Sequence, residues 1–224
     1  MPLQVIDSNG VGLRMSGTTF GAARVESKPI DHGSLGAYTY GGFTGILPAA
    51  LVANSEIFQF RWADATRLCV IRKIRISASV STTFFAAGVP MQIDLVKSTG
   101  WTIQGTLGTG LTLAALLKKR TSMGSSLIAT GDARIATTAA LGAGTKTLET
   151  LSLSTVVAGC PITASLNGTI IGPGTILFQA EIADGEHPLV LSVNEGFSIR
   201  SVAVPGLGTW TAGITIDWAE VTSY

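Results

Sequence analysis

The chain has 224 residues, of which 46% are hydrophobic and 13% are charged, and its formal net charge is +1. This balance argues against a general binder of nucleic acid or anionic membranes, because such proteins concentrate positive charge. A charged fraction about half the usual quarter indicates a surface that other subunits partly cover, since large exposed apolar areas usually mark interfaces.

We expect neither a membrane span nor a secretory signal. No apolar run reaches the ~18 residues that a span requires, and the N-terminal residues lack a basic segment followed by an apolar one. The cysteines, Cys69 and Cys160, lie far apart and outside any metal-binding spacing. Both are expected to be free thiols, which fits synthesis in a reducing cytoplasm.

The first part of the chain differs in composition from the rest. Residues 1–44 are rich in glycine and show no sustained alternation of apolar and polar residues. We expect them to form an extended N-terminal arm that orders against neighbouring subunits. Residues 45–224 are expected to form one β-domain. The aromatic residues of the arm are candidate contacts with the partner: Phe20, Tyr38, Tyr40 and Phe43.

Residues 55–64, "SEIFQFRWAD", have the period of a half-buried strand. Phe58, Phe60 and Trp62 fall on one side of the strand. Gln59 and Arg61 fall on the other side.

Residues 67–80, "RLCVIRKIRISASV", also alternate, except at Arg72, where a bulge or a strand end would turn the side chain outward. Lys73 and Arg75 then project from one polar face, about 7 Å apart. This face is either solvated or in contact with an acidic partner subunit, and nucleic acid is a third alternative. Lys73 and Arg75 are the candidate contacts of this strand.

Three further segments alternate in the same way, with turn residues between them. They are residues 89–97, 175–185 and 208–221. In the last of them, Trp210 and Trp218 are expected to face the core. Because about 27 Å of strand separates the two tryptophans, they do not form a sugar-stacking platform.

Residues 187–201 predict a hairpin with its turn at residues 194–196. Residues 111–123 predict either a short helix or an irregular crossover. Strands that are separated by turns, with at most one short helix, are typical of an antiparallel jelly roll or β-sandwich. The predicted fold class is therefore all-β.

No motif of catalysis or cofactor binding is complete. "GAGTKT" lacks the spacing of a phosphate-binding loop, and "HGSLG" lacks the first glycine and the flanking elements of a nucleophile elbow. With two histidines in the chain, a multi-histidine zinc centre is excluded. The cluster of Asp184, Glu186 and His187 is interpreted as a hairpin turn rather than a cation site. We expect no catalytic residue, cofactor or metal, and hence no enzyme.

Residues 36–64 with 69–80, residues 120–149 and residues 187–221 resemble a group of tailed-phage and prophage proteins. The likeness consists of strand order, glycine-rich turns and a closing strand with tryptophan. Within this group, the chain is similar to jelly-roll auxiliary capsid proteins of the cement or decoration type. The resemblance implies a structural protein that binds the outside of a phage capsid shell and bridges capsomers.

The resemblance also implies the partners and the location of the protein. The partner is the phage major capsid protein, and the chain itself forms a homo-oligomer, a dimer or a trimer, in the virion after assembly in the bacterial cytoplasm. Direct contact with nucleic acid or membrane is not expected. One alternative is a tail, baseplate or fibre module that recognises host glycan, and a less favoured one is a hydrolase of cupin or lectin-like shape.

Overall fold

The computed structural model describes residues 4–6, 12–14, 36–49, 51–82, 90–113, 118–158, 168–180, 187–203 and 208–224. The chain divides into two compact units, Met1–Asp31 and His32–Tyr224. In the first unit, strands β1 (Gln4–Ile6) and β2 (Gly12–Arg14) form an antiparallel pair. Phe20 lies outside the described residues.

The second unit is an antiparallel β-sandwich, as predicted. Its strands are β3 (Ala37–Phe43), β4 (Leu47–Pro48), β5 (Ser55–Trp62), β6 (Leu68–Thr82), β7 (Met91–Ile103), β8 (Thr109–Gly110), β9 (Ala133–Ile135), β10 (Thr145–Leu148), β11 (Ser154–Ala158), β12 (Gly168–Gln179), β13 (Leu189–Leu191), β14 (Glu195–Ala203) and β15 (Thr209–Val221).

One sheet has six strands in the order β12–β6–β15–β3, with β13 also paired to β6 and β4 to β15. The other has seven strands in the order β10–β7–β14–β5–β9–β8, with β11 also paired to β7. No residue that the structure describes is helical. Lys118 forms an isolated antiparallel bridge with Tyr38, and residues 119–123 form bends and turns, which fits the alternative of an irregular crossover. The finer assignment to a jelly roll stays a prediction.

The inner faces of the two sheets follow the predicted two-residue period. Trp62 and Trp218 are 0% and 1% exposed. The Phe60 ring stacks on Phe197 at 5.2 Å and meets the edge of Trp218 at 5.9 Å. Aromatic pairs of this geometry add to the hydrophobic stabilisation, which is the main force that holds the sheets together. Cys69 is a free and buried thiol, as expected, and Cys160 lies outside the described residues.

The sheet begins earlier in the chain than predicted. Ala37–Phe43 is not part of an arm, because all of strand β3 pairs with β15. Tyr38 is 0% exposed, and its ring stacks on Trp218 at 5.5 Å. Tyr38 is therefore a core residue and not a surface contact. The two adjacent glycines of this strand, Gly41 and Gly42, interrupt the apolar alternation from which a strand is predicted.

The predicted hairpin at residues 187–201 is wrong. Strand β13 pairs with β6 of the six-stranded sheet, whereas β14 pairs with β5 and β7 of the other sheet. Asn194 has a φ of 62°, and the amide of Glu195 donates to the carbonyl of Ser192 at 3.0 Å. The turn is thus present, but it carries the chain from one sheet to the other, because turn chemistry does not specify the strand partners.

Gln59 does not face solvent, because loops cover the outer face of the seven-stranded sheet. Its exposed fraction is 0%, and its amide nitrogen donates to Glu56 and to the carbonyl of Gly142, each at 2.9 Å. The Lys146 amine lies 2.8 Å from the Glu56 carboxylate and 4.6 Å from the centre of the Trp101 ring. A layer of paired polar groups therefore lies between this sheet and its loops.

One carboxylate attaches the crossover to the end of β15. Glu220 is 0% exposed and accepts hydrogen bonds from the Ser126 hydroxyl at 2.5 Å and from the Leu127 amide at 3.2 Å. The Arg67 guanidinium lies 3.8 Å away. Burial raises the pKa of the Glu220 carboxyl, and these hydrogen bonds and the Arg67 charge offset only part of the rise.

Replacing this carboxylate tests its role in stability. We expect Glu220→Ala to lower the free energy of unfolding by about 3 kcal/mol, because buried donors and a cation lose their acceptor. Glu149→Ala is the control, since Glu149 also forms an ion pair, with Lys97 at 2.8 Å, but is 45% exposed. The control should lose less than about 1 kcal/mol. Equal losses in denaturant unfolding would contradict the anchoring role of Glu220.

Candidate functional site

The outer face of the six-stranded sheet forms one surface, which we call the open face. Its outward residues lie in three cross-strand rows that the strand register defines. From β3 towards β12, the rows are Phe43–Gly213–Ser77, Gly41–Thr215–Arg75–Ile176 and Thr39–Asp217–Lys73–Gln179.

One end of the open face is apolar and shallow. Phe43 is 77% exposed and Ile176 is 49% exposed. A Cβ atom on Gly213 would lie 3.2 Å from the Phe43 ring, so the glycine leaves space for that ring to lie across β15. Pro173 and Arg75 help to line the resulting depression, whose volume is about 240 Å³.

The other end of the open face is cationic because of a bulge in β6. Asp217 pairs with Lys73 and Trp218 pairs with Ile71, so Arg72 is the extra residue. The predicted bulge is thereby confirmed. Arg72 is exposed, and it lines a second depression of about 310 Å³ together with Lys73. The bulge therefore brings two consecutive cations to one place.

Among the described residues, one carboxylate lies between these cations. Asp217 forms ion pairs with Lys119 at 2.5 Å and with Arg75 at 3.1 Å. Arg72 and Lys73 have no anionic partner among the described residues. The cluster thus carries an excess of positive charge, and two of its cations can pair with groups outside the described part of the chain.

The pKa of Asp217 reflects the same cations. Burial alone would raise this pKa, but hydrogen bonds from Lys119 and Thr39 and the charges of Lys119 and Arg75 lower it below the usual value. Asp217 is therefore ionised at neutral pH and holds the Lys119 and Arg75 side chains against the sheet.

The structure separates the residues that the sequence indicated as contacts. Lys73, Arg75 and Phe43 lie together on the open face. Tyr40 instead lies on the inner face of β3, half-buried, with its ring stacked on Phe58 at 6.1 Å. These positions follow from strand parity, because residues 41 and 43 share one side of β3 and residues 38 and 40 share the other.

Sequence reasoning missed the contributions of Lys119, Asp217 and Ile176 to this face. The two-residue period puts Asp217, the neighbour of the inward Trp218, on the outward side, but nothing in the sequence pairs it with Lys73 across the strands. Lys119 belongs to a segment for which a helix was one alternative. Only the register of β15 against β6 brings these residues together.

A third cavity, of about 290 Å³, opens away from the open face, between β7, β12 and β13. Its lining combines apolar residues such as Phe178 with the Lys97–Glu149 ion pair. The His187 ring packs against Tyr224 at 5.0 Å, whereas Asp184 and Glu186 lie outside the described residues. Within the described ranges, no three His, Cys, Asp or Glu side chains are grouped as metal ligands.

The four tryptophans of the chain are all buried, with exposed fractions between 0% and 2%. None of them is available to stack against a sugar ring. In the part of the chain that the structure describes, no helix has the length and apolar character needed to cross a membrane.

Comparison with protein-family models, with curated proteins and with solved structures found no match to this chain. By its fold and its site, the protein is an antiparallel β-sandwich in which loops cover one sheet and the other sheet has an open, cationic face.

The pH dependence of unfolding tests the role of Asp217. A carboxyl with a lowered pKa stabilises the fold above its unfolded pKa, near 3.8, and this contribution is lost as the pH falls through the folded pKa. We expect Asp217→Asn to lower the free energy of unfolding at pH 7 by about 1 kcal/mol. The difference between the variant and the wild type should disappear in strong acid. A difference that stays constant in denaturant unfolding at each pH would contradict this role.

Proposed function

We propose that this protein is a structural component of a phage virion, which binds the outside of the capsid shell and bridges capsomers. The partner is the phage major capsid protein, and the protein acts as a homo-oligomer without catalysing a reaction. The proposal rests on the exposed apolar side chains and the cations of the open face. The sequence resemblance described above supports it independently.

The contrast between the two sheets is the reason for assigning the contact to this face. On the seven-stranded sheet, the outward Gln59 and Ser198 are both 0% exposed, because loops cover them. On the six-stranded sheet, the outward Phe43 and Ile176 keep 77% and 49% of their surface exposed. Exposed apolar side chains beside uncompensated charge are typical of a surface that a partner covers.

The chemistry of the open face indicates the kind of surface that it contacts. Arg72 and Lys73 favour carboxylates on the partner, and the depression beside Phe43 favours an apolar side chain. Each such contact is weak, since charge pairs at the rim of an interface mainly give orientation and rate. A shell with many equivalent positions raises the overall strength of attachment through multivalency. Covering capsomer junctions in this way adds buried area and resists local opening of the shell.

Binding to isolated phage heads tests the proposal. The heads are those of the phage or prophage that encodes the chain, in the expanded form and in the unexpanded precursor form. We expect Lys73→Glu to weaken binding to expanded heads by at least about tenfold, equal to ~1.4 kcal/mol, because it places an anion against an acidic surface. Sedimentation of heads with labelled protein gives the affinities.

Two variants control for nonspecific effects. Lys73→Arg keeps the charge at the same position and should bind like the wild type, and Lys97→Ala removes a cation from the other sheet and should also leave binding unchanged. No binding to either form of head, or equal binding of Lys73→Glu, would contradict the proposal. Binding to host cells or to lipopolysaccharide instead of heads would support the alternative function in glycan recognition.

A further inference from the structure

Residues 118–127 lie along the first part of strand β3, and we call this segment the strap. Lys118 forms an antiparallel bridge with Tyr38. The Lys119 amide donates to the Ala37 carbonyl at 2.9 Å. The strap therefore occupies a part of the edge of the six-stranded sheet at which another strand would otherwise pair.

Two carboxylates of β15 hold the two ends of the strap. Near its start, the Lys119 ammonium pairs with Asp217 at 2.5 Å. Near its end, Glu220 accepts hydrogen bonds from the Ser126 hydroxyl at 2.5 Å and from the Leu127 amide at 3.2 Å. Both ends of the strap are thus attached to the same strand through charged groups.

The middle of the strap is held by the first residues of β3. The Ala37 amide donates to the Met123 sulfur at 3.3 Å. The Tyr38 hydroxyl donates to the Gly124 carbonyl at 3.1 Å. The contacts that fix the strap to β3 and β15 are therefore mainly hydrogen bonds and one ion pair.

The strap itself buries little apolar surface. Ser126 is its only buried residue, and Leu127 is 37% exposed. The chain is anchored in the hydrophobic core before and after the strap, by Leu113 and Ile128, which are 4% and 1% exposed. Segments with few buried apolar contacts open at a lower free energy than the core does. Opening of the strap therefore does not require either anchor to leave the core.

We propose that the strap opens and closes as one unit while the sandwich stays folded, and that the hydrogen bond from Ser126 to Glu220 is its latch. Ser126 suits this role because its hydroxyl also accepts a hydrogen bond from the amide of the Ile128 anchor, at 3.2 Å. The latch therefore connects the end of the strap both to β15 and to the core.

Opening changes two parts of the six-stranded sheet. The Ala37 backbone groups and the Tyr38 hydroxyl lose their partners in the strap, so the start of the β3 edge becomes available to another strand. The Lys119 ammonium leaves Asp217, so the cationic end of the open face loses one positive charge. An effect of this charge on attachment to a capsid rests on the proposed function, whereas the opening itself does not.

Limited proteolysis of the purified full chain with trypsin measures the opening without any phage component. The strap contains three consecutive basic residues, at positions 118–120, and cleavage after them requires the strap to leave β3. We expect Ser126→Ala to raise the rate of this cleavage by about tenfold, because the strap loses a hydrogen bond to a buried charged group. Mass spectrometry of the fragments identifies the cleaved bonds.

Ser152→Ala is the matched control, since the Ser152 hydroxyl also donates to a buried carboxylate, that of Asp94 in the other sheet. This control should leave cleavage in the strap at the wild-type rate. Cleavage in the strap should also vary little at low denaturant concentrations, because opening exposes little surface, whereas unfolding of the sandwich varies steeply. Equal acceleration by both variants, or cleavage that follows global unfolding, would overturn the proposal.

Residue-resolved hydrogen exchange tests whether the strap moves as one unit. The amides of Lys119 and Leu127, near its two ends, should exchange with one common opening free energy, below that of the amides of the central strand β15. Ser126→Ala should accelerate both of them by the same factor. Acceleration of Leu127 alone, or exchange of both amides together with β15, would show that the segment is not an independent unit.

Discussion

The structure depends on the pairing of β15 with β6 along nearly the whole of both strands. β15 is a central strand of its sheet. One of its faces packs in the core, and the other forms part of the open face. Trp218 packs inward against Phe60 of the opposite sheet at 5.9 Å. Asp217, the preceding residue, points outward to Lys119 and Arg75. A shift of β15 by one residue would exchange these faces, so the core and the cationic cluster are fixed by the same register.

The two sheets meet solvent in different ways, and the difference has a physical basis. On the seven-stranded sheet, covering loops pair several of the outward polar groups: the Lys146 side chain is paired with Glu56 and is only 2% exposed. On the six-stranded sheet, the outward residues include glycines, threonines and cations, and Phe43 is 77% exposed. Burial of charge is tolerated where it is paired. On the open face, Arg72 and Lys73 have no anionic partner in the described part of the chain, and both remain in contact with solvent.

The sequence by itself determined the fold class, the strands around Phe60 and Trp218, the interruption of the alternation at Arg72 and the outward direction of Lys73 and Arg75. These follow from two-residue periodicity, which depends only on neighbours along the chain. The sequence did not reveal strand β3, whose two glycines break that period, or the separation of β13 and β14 into different sheets. It also gave no sign that loops cover Gln59, or that Asp217 lies beside Lys73. Only the tertiary structure decided these, because strand partners and loop contacts join residues far apart in the chain, where periodicity carries no information.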